Sequence, residues 1–288
     1  MPKPTLLAAA AIAAGLVIFC LMVMLRTPRT DRDWESGLSR SPVFQAMEGG
    51  SWRLHNMRAF DFSAADGPAQ AWRDETLHTD DLEEIWFFVE PFEGFHGAAH
   101  TLISFVFGGE TDQTIAISVE ARKEQGETYS GLNGMFNKFE LIYLWSSEKD
   151  VLTRIAVNLD HEIYAYRLNV TQSQAQQILA HFIDRTNALA ERPRFYNTLT
   201  SNCTNELAKA VNSAFPGALP WHYAHVLTGY SAERLHALGF LGEGTNELQD
   251  LKSNAAAGDA MRAAANAPEG EFPSRWREFM AAHERETR

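Results

Sequence analysis

Cysteine is scarce in this sequence, and metal-binding patterns are weak. The 288 residues include two cysteines, Cys20 in an apolar N-terminal run and Cys203 far downstream. This placement argues against an internal disulfide, and two thiols cannot build a thiolate zinc cage. His96 and His100 share a four-residue spacing, but the glycine between them disfavours a helical zinc motif. The sequence also lacks phosphate loops and nucleotide-binding fingerprints, so we expect no metal and no cofactor.

Basic residues are outnumbered once the N-terminal run is set aside. All 37 acidic residues and 23 of the 25 basic residues follow Arg26, which gives that part a formal charge of −14. This balance argues against a nucleic-acid partner, because phosphates require a basic surface. Repulsion from anionic lipid would also keep most of the surface off a bilayer, so any contact with headgroups must be local.

Long apolar runs are confined to the N-terminus. Residues 5–25 form a 21-residue stretch without a charge, long enough to cross a hydrocarbon core of about 30 Å. The bulky segment 17–24 continues past the alanines, which favours an uncleaved anchor over a cleaved signal peptide. Phe19 stands where lipoprotein signals carry a small residue, which disfavours lipidation of Cys20. The arginines that follow the run would, by the positive-inside rule alone, leave the domain in the cytoplasm.

The pattern of composition divides the chain into four parts. Residues 1–26 are the predicted membrane anchor, and 27–51 are a loosely ordered tether rich in charge. Residues 52–242 have the alternating and apolar patterns of a globular domain. The remaining residues, 243–288, are rich in alanine and polar residues and are predicted to form a helical tail.

The globular part is predicted to be an α+β domain in which an antiparallel sheet packs on helices. Residues 101–107 and 113–119 are predicted to form a hairpin with a buried face. Helices are predicted from Thr171, where an apolar stripe begins, and from about Cys203. Further strands are predicted at 138–145, 151–157 and 162–170.

Cys203 is a candidate nucleophile because it lies at the beginning of a predicted helix. The unpaired amides and positive dipole of a helix N-terminus can lower a thiol pKa from about 8.5 to roughly 3.5–7.5. A buried cysteine that acts only as a small apolar side chain is the alternative interpretation.

A cysteine nucleophile needs a base and a group that orients the base. His100 directly precedes the buried strand, after small residues that could leave a cleft open. Glu120 lies on the polar face of the next strand and could accept a hydrogen bond from the imidazole; an ion pair with a neighbouring cation is the alternative. Asn202 could donate to an oxyanion together with the amide of Cys203, or simply cap the helix.

Several ordered motifs together resemble a known bacterial family. The motifs are Asn56–Phe62, His100–Phe105, Ile117–Tyr129, Phe139–Tyr143 and Phe195–Thr204. They are similar to the domain-of-unknown-function family 4105, which includes the periplasmic domain of the Lnb-type lipoprotein N-acyltransferases. The resemblance implies a circularly permuted papain-like or NlpC-like thiol domain, which here would follow the one transmembrane helix predicted from the apolar run. Lnb-type acyltransferases carry additional membrane helices after this domain. It also implies that His100 is the base, Cys203 the nucleophile and Glu120 the orienting acid.

The resemblance implies a domain in the periplasm, held at the bacterial inner membrane by residues 5–25. A thioester on Cys203 would carry an acyl group from phospholipid or another acylated substrate to a lipoprotein or another amine. With water as acceptor, the same residues would make a peptidoglycan amidase, a peptidase or an esterase. A third hypothesis is a membrane-tethered binding protein without catalysis.

Three further residues are candidates for substrate binding. Arg58 and Arg122 could neutralise a lipid phosphate, although solvated or ion-paired arginines are the alternative. Tyr196 lies in the same motif as Cys203.

Overall fold

The computed structural model describes residues 4–63, 67–109, 113–242 and 247–287. The strands are β1 (Val43–Ala46), β2 (Ser51–Arg58), β3 (Trp72–His78), β4 (Leu82–Pro91), β5 (Ala99–Phe107), β6 (Thr114–Arg122), β7 (Glu140–Ser147) and β8 (Tyr164–Arg167). They form one sheet in the order β1-β2-β7-β6-β5-β4-β8, with β3 paired to β2. The hairpin predicted around residues 101–119 is confirmed as β5 and β6.

The sheet is mixed rather than wholly antiparallel. Strands β2 and β7 run parallel where Arg58 lies opposite Ser146, while the other neighbouring strands pair in the antiparallel sense. The α+β class is therefore confirmed, and the expectation of a purely antiparallel sheet is wrong. The circularly permuted papain-like arrangement stays a prediction.

Helices occupy both faces of the sheet. They are α1 (Pro4–Met24), α2 (Gly131–Gly134), α3 (Glu148–Thr153), α4 (Gln172–Glu191), α5 (Cys203–Ala214), α6 (Ser231–Ala237), α7 (Leu248–Asn254), α8 (Gly258–Ala264) and α9 (Phe272–Thr287). The helices predicted from Thr171 and Cys203 are confirmed as α4 and α5. Thr171 caps α4 through a reciprocal capping box with Gln174.

Strand β5 contributes side chains to two hydrophobic cores, one on each face of the sheet. Ile103 packs in the core shared with α4 and α5, whereas Leu102 packs in the core shared with α3, α8 and α9. Successive strand residues point to opposite faces, so a strand covered on both sides must be apolar throughout. This burial explains the continuous apolar run of β5, and it leaves the ends of the strands as the place for polar chemistry.

The strand predicted at 151–157 is wrong. This segment is α3 followed by a π-helical turn at Arg154–Asn158. Ser147 begins the helix by accepting a hydrogen bond from the amide of Asp150. Val151 and Ile155 then lie on one helical face and enter the second core. Their spacing fits a helix, and the capping serine explains why the chain leaves the sheet here.

The segment predicted as a loosely ordered tether packs against the sheet. Strand β1 pairs with β2, and Trp34 and Leu38 are buried. Arg122 holds the segment in place by donating to the carbonyls of Leu38 and Ser39 and to the Ser41 hydroxyl. Residues 27–51 are therefore not a loose tether but a segment packed on the domain, which we call the strap.

The predictions for the two ends of the chain compare differently with the structure. Helix α1 contains the predicted anchor, but among the described residues no helix combines the length and the hydropathy that a membrane crossing requires. The span at residues 5–25 therefore stays a prediction, and residues 1–3 lie outside the described residues. At the other end, Phe272 and Trp276 of α9 are buried in the second core, so the described part of the predicted tail belongs to the domain. Residues 243–246 and 288 lie outside the described residues.

Candidate functional site

The site forms where the beginning of β5 meets the beginning of α5. His100 is the second residue of β5, and Cys203 is the first residue of α5. The Oγ1 atoms of Thr101 and Thr204 lie 3.0 Å apart and connect the two elements. Each threonine directly follows a candidate catalytic residue, so this contact holds His100 and Cys203 together.

His100 contacts Glu120 both directly and through a hydroxyl. Its Nε2 atom lies 2.7 Å from Ser118 Oγ and 3.2 Å from Glu120 Oε1. The Ser118 hydroxyl donates to the same Glu120 oxygen at 2.6 Å. Ser118 Oγ therefore accepts a hydrogen bond from Nε2–H, and its hydroxyl donates a hydrogen bond to the carboxylate. The β5–β6 register, in which Leu102 pairs with Ser118, explains why His100 and Glu120 lie opposite each other.

Cys203 is buried, and its neighbours change the pKa of its thiol. Burial alone would raise the pKa of its thiol, but the hydrogen bond and charge of His100 outweigh burial and lower the pKa. The side chain and the main-chain amide of Thr101 add to this lowering of the Cys203 pKa. Because Nε2 of His100 is engaged by Ser118 and Glu120, Nδ1 is the nitrogen left for the thiol.

The pKa of the His100 imidazole is raised, and the pKa of the Glu120 carboxylate is lowered. Burial opposes the charged form of His100, but Glu120 and Cys203 prevail and raise its pKa well above the ordinary value. Burial also opposes the charge of Glu120, yet the charge and hydrogen bond of His100, followed by the charge of Arg154, lower the pKa of Glu120. These shifts favour the charged forms of the imidazole and the carboxylate, and the lowered pKa of Cys203 favours its thiolate.

Tyr196 is the predicted substrate-binding residue that lies near Cys203. It is buried, and its hydroxyl lies 3.2 Å from that of Tyr129. Burial and then the charge of Cys203 raise the pKa of Tyr196, which keeps the phenol neutral. A neutral hydroxyl beside the thiol can contact a bound substrate.

Asn202 caps α5, and its side chain is fully occupied. Its Oδ1 accepts from the amide of Asn205 at 2.8 Å, while its Nδ2 donates to the carbonyls of Thr198 and His225 at 2.8 and 2.7 Å. This geometry is that of a helix cap. An oxyanion donor would need a free N–H, and both side-chain N–H groups of Asn202 already donate to carbonyls. The main-chain amide of Cys203 has no hydrogen-bond acceptor within the described part of the chain, so it is the better candidate donor.

The two predicted phosphate-binding arginines are structural instead. Arg58 is buried in an ion pair with Asp150, with Nη2 and Oδ1 2.7 Å apart. Arg122 is buried against the strap, and its guanidinium lies over the Trp34 ring. Burial lowers the pKa of Arg122 to about 10, although the charge of Glu140 opposes this shift. The structure brings neither arginine to the Cys203 cluster.

Three residues at the site were missed by sequence reasoning. Ser118 lies two residues before Glu120 on the same face of β6, and it bridges His100 and Glu120. Thr101 helps to lower the pKa of the Cys203 thiol, and its position directly after His100 was the signal. Arg154 acts on Glu120 from the π-helical turn, and the wrong strand prediction at 151–157 concealed it.

An apolar cavity of about 40 Å³ lies beside the site. Its wall includes Thr204, Leu207 and Val211 from α5 and Phe240 beyond α6. Thr204 adjoins Cys203 in sequence, but neither Cys203 nor His100 lines this cavity. Among the described residues, no group of three or more histidine, cysteine, aspartate or glutamate side chains is arranged to hold a metal ion.

A family model described as the Lnb N-terminal periplasmic domain matches residues 69–229. The matched stretch covers more than half of the chain and contains His100, Glu120 and Cys203. Comparison with curated proteins and with solved structures found no match.

Proposed function

The chain belongs to the Lnb N-terminal periplasmic domain family, and we propose that it is a cysteine-dependent acyltransferase of the bacterial periplasm. One observation carries the proposal: Cys203 is buried beside His100, which lowers the pKa of its thiol, and the imidazole of His100 contacts the Glu120 carboxylate directly and through Ser118. A thiolate held at neutral pH by an oriented imidazolium is the requirement for nucleophilic attack on a carbonyl. A structural cysteine would not need a histidine and a carboxylate.

The first half-reaction would acylate the enzyme. The Cys203 thiolate attacks an ester carbonyl carbon, and the main-chain amide of Cys203 stabilises the oxyanion that forms. The tetrahedral species then breaks its carbon–oxygen bond, and His100 gives its proton to the leaving alcohol. Glu120 holds the imidazole in position throughout. The product is a thioester on Cys203.

The second half-reaction would release the acyl group. An amine attacks the thioester carbonyl, His100 takes the amine proton, and the carbon–sulfur bond breaks to regenerate the thiolate. A water molecule could replace the amine and make the enzyme a hydrolase. Membership of the Lnb family and the apolar segment at residues 5–25 support a lipid as the acyl donor rather than a polar peptide.

Residues 5–25 would anchor the domain to the inner membrane. Phospholipids and acylated lipoproteins would then share the surface on which the site operates. Because Arg58 and Arg122 are engaged elsewhere, they have no place in substrate binding, and Tyr196 keeps that proposed role.

Intact-mass measurement of the full chain in phospholipid vesicles tests the proposal. Wild type and Cys20→Ser should both gain a fatty-acyl mass increment, because Cys20 is the matched cysteine outside the site. Cys203→Ala should lose the increment completely while keeping the circular dichroism of the wild type. Adding an amine acceptor should discharge the increment onto that amine.

Two other results would overturn acyl transfer. If the wild type gains no increment and instead releases peptide fragments from cell-wall material, the enzyme is an amidase. If Cys203→Ala remains folded and complements a deletion strain as well as the wild type does, the protein acts without catalysis.

A further inference from the structure

Large apolar side chains are exposed on the loops around the site. We call six of them the docking rim: Phe95, Leu132, Phe136, Leu199, Trp221 and Tyr223. Two are among the most exposed, since Leu132 is 65% and Trp221 is 76% accessible. Exposed apolar residues scattered singly need no explanation, but a group around one opening marks an interaction surface.

Hydrogen bonds connect the rim loops to the site. Thr198, which precedes Leu199, donates to the carbonyl of Gly131 beside Leu132 at 2.7 Å. The loop that carries Trp221 and Tyr223 is joined to α5 because Asn202 donates to the His225 carbonyl. The same loop reaches β5, since the Thr228 hydroxyl donates to the Ala99 carbonyl at 2.6 Å. The rim loops therefore meet at the residues that flank Cys203 and His100.

The apolar helix α1 joins this rim. Phe19 makes an edge-on contact with Phe136, with ring centroids 5.2 Å apart. Arg26, just after the helix, donates to the carbonyls of Phe136 and Asn137. Side chains such as Leu21 and Met24 are exposed on the helix. The exposed apolar surface of α1 thus continues onto the rim.

Positive charge lies where the helix meets the domain. Arg26, Arg29, Arg32 and Lys138 line one depression. The last three pair with carboxylates, whereas within the described part of the chain Arg26 makes no ion pair. An anionic headgroup complements this charge, while the acidic remainder of the domain would be repelled from the same surface.

We propose that the docking rim binds the headgroup region of a phospholipid bilayer and holds the site close to it. Phenylalanine, tryptophan, tyrosine and leucine at the end of an apolar helix are the side chains that lie at membrane interfaces. The unpaired charge of Arg26 lies at the level of the lipid phosphates. The proposal rests on the membrane anchoring proposed above for α1, but not on acyl-transfer chemistry.

Fluorescence quenching by brominated lipids tests this orientation. The full chain carries Cys20→Ser and Cys203→Ser and is placed in vesicles of phosphatidylethanolamine and phosphatidylglycerol. A single fluorescent label is attached after Leu132→Cys, Leu199→Cys or Trp221→Cys. Met47→Cys and Phe279→Cys are the matched controls, because their exposures of 47% and 45% are comparable but they lie outside the rim.

Quenching at the three rim positions should be several times stronger than at the two controls. Equal quenching at all five positions would overturn the proposal, as would rim labels that are protected only when another protein is added. Because Cys203 is replaced throughout, the result is the same whether or not a thioester forms in the wild type.

A charge substitution provides a second test that does not depend on labels at the rim itself. Trp221→Asp combined with Leu132→Asp should reduce quenching at Leu199→Cys several-fold, whereas Phe279→Asp should leave it unchanged. All these side chains are exposed, so the fold should tolerate the changes, which circular dichroism verifies. Unchanged quenching in the folded double variant would contradict the proposal.

Discussion

Two pairs of oppositely charged side chains, one between β2 and α3 and one between β5 and β6, have similar geometry and different surroundings. Arg58 and Asp150 approach to 2.7 Å, and His100 and Glu120 approach to 3.2 Å. In the first pair the side chains are 6% and 0% exposed, and in the second they are 14% and 29% exposed. Burial of opposite charges therefore does not by itself identify a functional site.

The two pairs differ in whether the cation can transfer a proton. Three donated hydrogen bonds link the Arg58 guanidinium to Asp150, a fourth goes to the Gly37 carbonyl, and Phe60 supplies an amide to the same carboxylate. Arginine does not lose its proton in proteins, so this arrangement can only hold segments together. His100 can lose a proton, and one of its nitrogens faces a thiol. A transferable proton and a greater exposure to solvent distinguish the second pair.

Asp150→Asn should have the largest effect on stability. The substitution leaves Arg58 buried without its counter-charge, which costs about 3–5 kcal/mol for a buried pair. Thermal unfolding followed by tryptophan fluorescence should show this loss, while the folded fraction keeps its rate of acyl-enzyme formation.

The exposed pair at Asp74 is the control for this experiment. Asp74 contacts His55 at the surface, so Asp74→Asn should change the free energy of unfolding far less. A loss of activity in Asp150→Asn without a loss of stability would contradict the comparison and return Arg58 to the substrate site.

Glu120→Gln should reduce acyl-enzyme formation about 100-fold or more, which is the range for an oriented acid–base partner. The charge of Glu120 raises the pKa of His100. Without that charge the imidazolium loses its proton at lower pH, so the alkaline limb of the pH–rate profile moves to lower pH. The measurement is kcat/KM against pH.

Glu84→Gln is the matched control, because Glu84 pairs with Arg167 at the other end of β4. It should leave both the rate and the profile unchanged. If Glu120→Gln slows the reaction without moving the alkaline limb, Glu120 does not act through His100.

Local patterns were sufficient to predict the three candidate residues that the structure brings together. His100 precedes an apolar strand, Glu120 lies on the alternate face of the next strand, and Cys203 begins an amphipathic helix. Each inference depended on neighbours within a few positions. The hairpin register then brought His100 opposite Glu120, as a pair of adjacent strands in sequence allows.

The arginine assignments failed because their partners are distant in sequence. Asp150 lies 92 positions from Arg58, and Leu38 lies 84 positions from Arg122. An arginine that neutralises a ligand phosphate and one that holds a distant carboxylate have the same local sequence signal. The predicted strand at 151–157 removed Arg154 from consideration for a related reason, since β-branched residues favour a strand unless a cap redirects the chain.

Asn202→Ala should have the smallest effect on stability and rate. It tests whether Asn202 caps the helix or stabilises an oxyanion. Loss of an N-cap costs about 0.5–2 kcal/mol of stability, and the bonds to the Thr198 and His225 carbonyls are lost with it. Asn202→Ser keeps an acceptor for the Asn205 amide and should recover part of that stability. The rate of acyl-enzyme formation should change little in either variant, because the Cys203 amide remains. A fall of about 100-fold in rate with unchanged stability would instead assign Asn202 to the oxyanion.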